Sequence, residues 1–292
     1  MVVRVDELSC LDVLLWLRTG EAAARHLHLS QPTVCRHANR VLSCFGLESI
    51  KPDGEWQLQG DATLLNMERQ VHQLLRWQQG LPLRLEAQYY NGPLFCDPVP
   101  EGWVTGNFDF VEVHAPLQHL RTGVIDAWLG CYPDVPERED PELVRFDLTR
   151  LPTHLVVDPN HPLLRLGDAV TLEDVRHYPT LALPANAFPK IAMALQELGL
   201  WTAPSDIRRY DYSSWEGLTA DQVTVAYASA FSMALYPTPK VALPIALPLE
   251  VGDTLMVRRR FANHPRCQQL VQQLQTRAAE LAERFPDVSL PR

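Results

Sequence analysis

A stretch near the N-terminus carries side chains that can bind nucleic acid. Gln31 and Arg36 lie in a segment that begins with Ser30-Gln31-Pro32. A glutamine amide can form two hydrogen bonds to adenine, and an arginine guanidinium can do so to guanine. Residues 22–40 also contain three arginines, three histidines and no acidic residue, so the stretch is locally basic. These residue types predict that Gln31 and Arg36 read bases.

Neighbouring side chains are assigned supporting roles on the same surface. Ser30 is expected to cap a helix, and Pro32 suits its first turn, where the missing N–H costs little. Arg25 and Arg40 are expected to contact the DNA backbone, which positions a protein without reading sequence. The predicted DNA-binding residues are Ser30, Gln31, Pro32, Thr33, Cys35, Arg36, Arg40 and Arg25. A solvated basic face that binds nothing is the alternative for a single helix of this kind.

The spacing of apolar residues predicts the elements that carry this surface. Helical periodicity covers residues 6–18, an alanine-rich helix covers 21–27, and a longer helix runs over 30–46. Helix, short helix, turn and longer helix is the order of a helix-turn-helix. Pro52-Asp53-Gly54 then predicts a turn between two short strands, which is typical of a hairpin or wing within 49–58.

A fourth helix is predicted from Asp61 to about Gln79. Its apolar positions are Leu64, Leu65, Val71, Leu74 and Leu75. Because this helix lies between a helical region and a region of alternating strands and helices, we expect these side chains to pack on a partner helix in a dimer. Packing on their own domain is the alternative.

Beyond Pro82, short strands alternate with helices, which predicts an α/β sheet with parallel pairing. The predicted strands cover 83–87, 108–113, 126–130, 153–158, 180–184 and 254–261. The predicted helices cover 115–123, 172–178, 189–199 and 265–285, and 222–237 is expected to form a buried strand, turn and helix.

Composition bounds the class of protein. The 292 residues suggest two or three domains, and a hydrophobic content of 46% permits a sizeable core. The absence of a long apolar run, of a signal-peptide pattern and of a C-x-x-C pair leads us to expect a cytoplasmic protein with reduced thiols. The net charge of −9 by itself argues against a nucleic-acid partner. The charge is not distributed evenly along the chain, however. It is −1 for residues 1–60, 0 for 61–80 and −8 for 81–292.

The segment LHLSQPTVCRHANRVLSCFGL (27–47) resembles the recognition-helix region of LysR-type transcriptional regulators. The positions in register with that family are Ala23, Ala24, Leu27, Ser30, Gln31, Pro32, Val34, Arg36, Leu42 and Gly46. The resemblance continues in family order at LQHLRTGVIDAWLG (117–130), LVVDPNHPLL (155–164) and ALYP (234–237). The wing departs from the family pattern, because two acids, Asp53 and Glu55, stand where basic residues are common.

The resemblance implies a winged helix-turn-helix at residues 1–60, a dimerisation helix at 61–80, and an effector domain like a periplasmic binding protein. Its lobe I would contain 81–150 and 251–292, and its lobe II would contain 151–250. The implied partners are double-stranded promoter DNA, a small-molecule effector and further copies of the chain in a homodimer or homotetramer. No cofactor, metal or membrane contact is predicted. The alternative is a divergent member with weak DNA binding that acts mainly as a ligand-binding or protein-interaction module.

In an open α/β sheet, ligands bind outside the carboxyl ends of strands, where helix N-termini also present N–H groups. The residues predicted at such positions to bind the effector are Tyr89, Tyr90, Asn91, His114, Ala115, Asn186, Ala187 and Phe231. Tyrosines that only close the lobe interface are the alternative.

No catalytic residue is predicted. The chain lacks G-x-S-x-G, Walker, G-x-G-x-x-G and H-E-x-x-H motifs. Asp158 and His161 could be interpreted as a catalytic pair, but His161 lies in a loop that is typical of the family that this chain resembles. Cys96 and Cys131 are interpreted as structural residues rather than a redox switch.

Overall fold

The N-terminal region is a helical unit with a two-stranded wing, in a computed structural model that describes residues 1–200 and 204–291. Its elements are α1 (Val5–Leu17), α2 (Gly20–Leu27), α3 (Gln31–Phe45), β1 (Glu48–Ile50) and β2 (Gln57–Gln59). Ser30 caps α3, because its side chain accepts a hydrogen bond from the Thr33 N–H. Gly46 ends α3 with a φ of +65°. The predicted helix-turn-helix and wing are confirmed.

The helix α4 (Thr63–Gln78) leads from the wing into a mixed sheet. The strands of this sheet are β3 (Leu83–Ala87), β4 (Trp103–Thr105), β5 (Ala127–Tyr132), β6 (Leu143–Asp147), β7 (Leu151–Pro152) and β11 (Glu250–Arg258). The order is β4-β3-β5-β11-β6, with β7 also paired to β11. The strand β3 is parallel to β4 and β5, whereas β11 is antiparallel to β5, β6 and β7. Its helices are α5 (Gly92–Phe95), α6 (His114–Thr122) and α10 (Pro265–Arg284).

A second sheet lies between β7 and β11 in the chain. Its strands are β8 (His154–Val157), β9 (Ala226–Ala228) and β10 (Val241–Ala242), in the order β10-β8-β9. The accompanying helices are α7 (Leu172–Val175), α8 (Pro189–Glu197) and α9 (Ala230–Met233). The predicted two-lobed α/β architecture is therefore confirmed. Within 1–200 and 204–291, no helix combines the length and apolar character needed to cross a membrane.

Two details of the predicted sheets are wrong. The stretches 108–113 and 180–184 contribute only isolated bridges, at Phe110, Thr180 and Pro184. Pro179 precedes the second stretch and Pro184 ends it, and neither residue can donate a ladder hydrogen bond. The pairing is also less parallel than expected, because β8 is antiparallel to both of its neighbours. Alternation of strands and helices does not determine which strands become neighbours.

The mixed sheet is buried on both faces. Along β3, Leu83, Leu85 and Ala87 belong to the hydrophobic core of the two lobes. Arg84 and Glu86 alternate with them and are also buried. The opposite face of the sheet is therefore covered by another part of the chain.

That cover is the N-terminal region. Leu8, Leu11 and Leu15 of α1 share one buried cluster with Trp128 of β5 and Met256 of β11. The winged helix-turn-helix and the first lobe are thus packed together through a common apolar core.

Candidate nucleic-acid interface and ligand cavity

The helix α3 has one buried and one exposed face. Val34, Ala38 and Val41 pack inward, whereas Gln31 and Arg36 are exposed. Within the described parts of the chain, neither of these two side chains has a hydrogen-bond or ion-pair partner. The exposed face therefore offers an amide and a guanidinium free to bind.

Gly20, the first residue of the preceding helix, lies close to the side chain of Gln31. A Cβ atom built on Gly20 would lie 3.0 Å from Cγ of Gln31. That distance is tighter than ordinary van der Waals contact, so a side chain at Gly20 would push Gln31 aside.

Except for Pro32, the other residues predicted at this surface already have partners within the chain or are half-buried. Arg25 pairs with Glu21 at 3.0 Å, and Arg40 Nη1 lies 2.5 Å from Oε1 of Glu7. The Ser30 and Thr33 hydroxyls are 2.8 Å apart. Pro32 is exposed and Cys35 is half-buried. A DNA phosphate would have to compete with an acid for each of the two arginines.

The wing is held by the two-lobed α/β domain. Arg209 donates to both carboxylate oxygens of Glu55, each at 2.9 Å, and its third nitrogen donates to Asp109 at 2.7 Å. The guanidinium also lies 3.5 Å from the centre of the Phe110 ring. Burial opposes ionisation of Glu55, but the hydrogen bonds and charge of Arg209, with help from Arg18, lower its pKa. Arg209 therefore joins the wing to the two-lobed domain, by a bidentate contact with Glu55 and a stacking contact with Phe110.

Two further contacts fix the wing. Arg208 Nη2 lies 2.9 Å from Oδ2 of Asp53 at the exposed tip. Lys51 Nζ and Trp56 Nε1 both donate to the carbonyl oxygen of Arg18, at 2.9 and 2.8 Å. Asp53, Lys51 and Trp56 of the wing thus contact other parts of the same chain.

A buried charge cluster joins α1 to the linker helix and to the sheet. Asp12 accepts from Arg69 Nε at 2.7 Å and faces Arg84 Nη1 at 3.4 Å. All three side chains are buried. Trp16 Nε1 donates to Glu86 beside them. Burial raises the pKa of Glu86 to about 8, which the hydrogen bonds from Ala87 and Trp16 only partly offset.

An uncharged cavity of about 70 Å³ lies between the two sheets. Its lining is Tyr89, Tyr90, Cys131, Thr153, Leu183, Phe188, Ile191, Trp215, Tyr227, Ala228, Ser229, Ser232 and Val251. The Tyr89 hydroxyl donates to Glu216 Oε1 at 3.4 Å, and the Tyr210 hydroxyl donates to Glu216 Oε2 at 2.7 Å. The rings of Tyr89 and Tyr210 are stacked 4.1 Å apart. The aromatic wall of the cavity is therefore fixed from behind by one carboxyl group.

Of the residues predicted to bind an effector, Tyr89 and Tyr90 line this cavity and the others do not. Asn91 is buried and donates to Asp253 Oδ1 at 2.9 Å, so its amide is occupied. Phe231 packs edge-to-face on Phe95 and Phe285 in the core.

The remaining predicted positions lie elsewhere. His114 is exposed and Ala115 half-buried at the start of α6, while Ala187 is fully buried. Asn186, with a φ of +61°, borders a polar groove that Arg208 also lines. Trp215 and Phe188 were missed in the sequence because they follow irregular segments with no periodicity.

The exposed face of α4 is apolar. Leu64, Met67, Val71 and Leu74 are exposed at helical spacing. Leu65 instead belongs to the shared core of α1 and the sheet, and Leu75 is half-buried. The structure therefore places Leu65 in its own chain and adds Met67 to the exposed apolar face.

These features define a protein that joins a winged helix-turn-helix to a two-lobed α/β domain with a cavity between its two sheets. The family model of the LysR substrate binding domain matches residues 107–279. The chain therefore belongs to the family of LysR-type regulators. No curated protein matches it.

Solved structures show the same fold at low sequence identity. A full-length OxyR variant from Pseudomonas aeruginosa is 17% identical over 93% of this chain and 97% of that chain, with a TM-score of 0.56. Full-length CbnR complexed with its target DNA is 15% identical over 94% of this chain and 99% of that chain, with a TM-score of 0.55. A probable transcriptional regulator from Pseudomonas aeruginosa is 17% identical over 94% and 97% of the two chains, with a TM-score of 0.58.

Proposed function

We propose that this protein is a DNA-binding transcriptional regulator controlled by a small molecule bound between its lobes. Residues 1–60 would bind DNA, 61–80 would dimerise, and lobe I (81–150 with 251–292) and lobe II (151–250) would hold the effector. The observation that carries this proposal is the exposed face of α3, where Gln31 and Arg36 are free of partners among the described residues.

Recognition helices present their N-terminal residues to base edges in the major groove. Gln31 begins α3, and Arg36 lies on the second turn, so both would reach bases when α3 enters the groove. Asn39, exposed one turn further on, adds a second amide. CbnR, which has the same fold, has been solved in a complex with its target DNA, and this likeness supports the same mode of binding here.

Selection and titration test this function. Duplexes enriched from a randomised library by the full-length protein would be titrated across salt concentrations. We expect a steep negative salt slope and a loss of about 5- to 150-fold in affinity for the enriched duplex in Gln31→Ala or Arg36→Ala. Arg284→Ala, which removes the same charge from the exposed end of α10, is the matched control. Failure to enrich any sequence, with a flat salt response, would contradict the proposal.

Dimerisation would double the number of base contacts. We expect the exposed apolar face of α4 (Leu64, Met67, Val71 and Leu74) to be covered by a second copy of the chain. Sedimentation of Val71→Glu should show monomer, whereas Gln78→Glu, exposed on the same helix, should keep the assembly of the parent protein. Equal assembly of the two variants would remove α4 from the interface.

A second candidate function is a family member with weak DNA binding that acts mainly through ligand or protein contacts. One observation favours it: Arg208 and Arg209 bind the acids of the wing, which supplies few cations to DNA. The same titration separates the two, because the weak binder would show no discrimination that depends on Gln31.

A further inference from the structure

The cavity between the lobes is lined by uncharged side chains. Each described residue that lines it is aromatic, aliphatic, a hydroxyl residue or a cysteine, and none is acidic or basic. Among the residues that the structure describes, a ligand bound here would find no cation in the lining to balance a carboxylate or a phosphate.

Three buried acids act on residues that line the cavity: Glu216 on Tyr89, and Asp134 and Asp253 on Cys131. Glu216 holds Tyr89 from behind, and burial raises its pKa. Burial likewise raises the pKa of Asp134 and that of Asp253 to about 6. Burial raises the pKa of the lining thiol Cys131, and the charges of Asp134 and Asp253 raise it further. An anion placed in the cavity would therefore be opposed by lost hydration and by these carboxyls.

Two lining residues carry buried hydroxyls without a nitrogen or oxygen partner among the described residues. They are Tyr90, whose hydroxyl interacts with the Cys131 thiol, a weak hydrogen-bond partner, and Thr153. Both residues are more than nine-tenths buried. A buried hydroxyl without a strong partner is costly, and a ligand group that pairs with it recovers that cost.

We propose that the effector is an uncharged, mainly apolar molecule with a hydrogen-bonding group for the hydroxyls of Tyr90 and Thr153. This inference rests on the proposed control of the protein by a ligand between its lobes. Aromatic side chains, among them Phe188, Trp215 and Tyr227, would contact its apolar part. A site of about 70 Å³ is far below the roughly 300–1,000 Å³ of most ligand pockets, so the lobes must part to admit such a molecule.

Probes of one shape and different charge test this inference. Benzyl alcohol and benzamide are neutral, benzoate is an anion and benzylamine is a cation at neutral pH. Calorimetric titration of the full-length protein should show binding of a neutral probe at least tenfold tighter than of benzoate or benzylamine. The melting temperature should rise with the same probe, because a ligand of the folded state stabilises it.

Variants at the cavity test the two parts of the inference separately. Tyr90→Phe and Thr153→Val remove the hydroxyls while keeping shape, and each should weaken the neutral probe by about 2- to 13-fold. Ser232→Lys adds a cation to the lining and should turn the preference towards benzoate. Gln196→Lys adds the same charge on the exposed side of α8 and should leave the preference unchanged.

Tighter binding of benzoate or benzylamine than of both neutral probes by the parent protein would overturn the inference, while control by a ligand would stand. Unchanged affinity in both Tyr90→Phe and Thr153→Val would overturn the role of the hydroxyls. Binding of no probe would overturn the inference and leave DNA recognition to be judged by its own titration.

Discussion

The helix α3 and the wing belong to one small fold, yet their charges are used in opposite ways. Gln31 and Arg36 face solvent without partners among the described residues. On the wing, Asp53 and Glu55 are bound by Arg208 and Arg209 of the two-lobed α/β domain. One surface is left free for a partner, and the other is occupied by a contact within the chain.

This difference explains the acidic wing, which the sequence alone would suggest is a weakness in DNA binding. The wing acids complete an interface that also includes the buried cluster around Asp12 and the Trp16–Glu86 hydrogen bond. The N-terminal region is therefore attached to the rest of the protein at several points, and α3 is the part that remains exposed. Substitutions at four positions test this contrast between an attached wing and an exposed α3. They are given from the largest expected effect to the smallest.

Removal of the carboxylate at Asp12 should destabilise the protein most. Asp12→Ala would leave the buried guanidiniums of Arg69 and Arg84 without their partner, at a cost of about 3–5 kcal/mol. Asp12→Asn, which keeps part of the hydrogen bonding, should cost less. Denaturant unfolding measures both, with Asp6→Ala as the control because that carboxylate is exposed on the same helix. Equal stability of Asp12→Ala and Asp6→Ala would show that the interface is not formed in solution.

Stability should also depend on the ionisation of Glu86. Its pKa is raised from 4.5 to about 8 in the folded state, so the folded protein binds this proton more tightly than the unfolded chain does. The contribution is therefore fully present below about pH 4.5 and is lost as pH rises to about 8, by on the order of a few kcal/mol. The charges that face it are those of Asp109 and Arg209.

Unfolding of the parent protein and of Glu86→Gln from pH 5 to pH 8.5 checks this dependence. The variant should lose less stability with rising pH, because Gln does not titrate. Parallel pH profiles would mean that Glu86 is not buried against Trp16.

Loss of the wing carboxylate should have a smaller effect. Glu55→Ala removes both hydrogen bonds from Arg209, which keeps Asp109 and Phe110, so we expect a loss of about 1–3 kcal/mol. Affinity for an enriched duplex should fall far less than in Arg36→Ala, since α3 is untouched. Glu48→Ala, an exposed wing acid, is the control. A loss of DNA discrimination in Glu55→Ala alone would place the wing in the DNA interface.

The tip of the wing should matter least. The Asp53–Arg208 pair is exposed, and such pairs contribute about 0–1 kcal/mol. Asparagine tolerates the left-handed conformation that Asp53 adopts with a φ of +51°, so Asp53→Asn changes the charge without straining the turn. Unfolding at low and at high salt should show a small difference that salt removes. A cost of several kcal/mol would mean that the tip is as tightly held as Asp12.

Much of the fold could be predicted from local patterns. Apolar spacing defined α1, α3 and α10 closely, Ser30 and Gly46 gave the ends of α3, and Pro52-Asp53-Gly54 gave the turn of the wing. Such signals are local, because caps and turns depend on a few adjacent residues. The strands predicted at 108–113 and 180–184 were not found as strands, because a ladder also needs a neighbour in register.

The candidate site was less predictable. Tyr89 and Tyr90 follow a strand end and line the cavity, but Asn91 and Phe231 are occupied in the core. Thr153 has no local pattern that marks it as part of the lining.

The sequence by itself determined the helices, the wing, the basic character of α3 and the acidic surplus beyond residue 80, because these depend on residue type and short-range spacing. Only the tertiary structure decided that Arg84 and Glu86, which alternate along β3 like residues of a solvent-exposed face, lie buried under α1. It also decided that Glu55 of the wing faces Arg209, which is 154 positions away in the chain. Long-range contacts of this kind depend on which surfaces meet, and no local pattern records that choice.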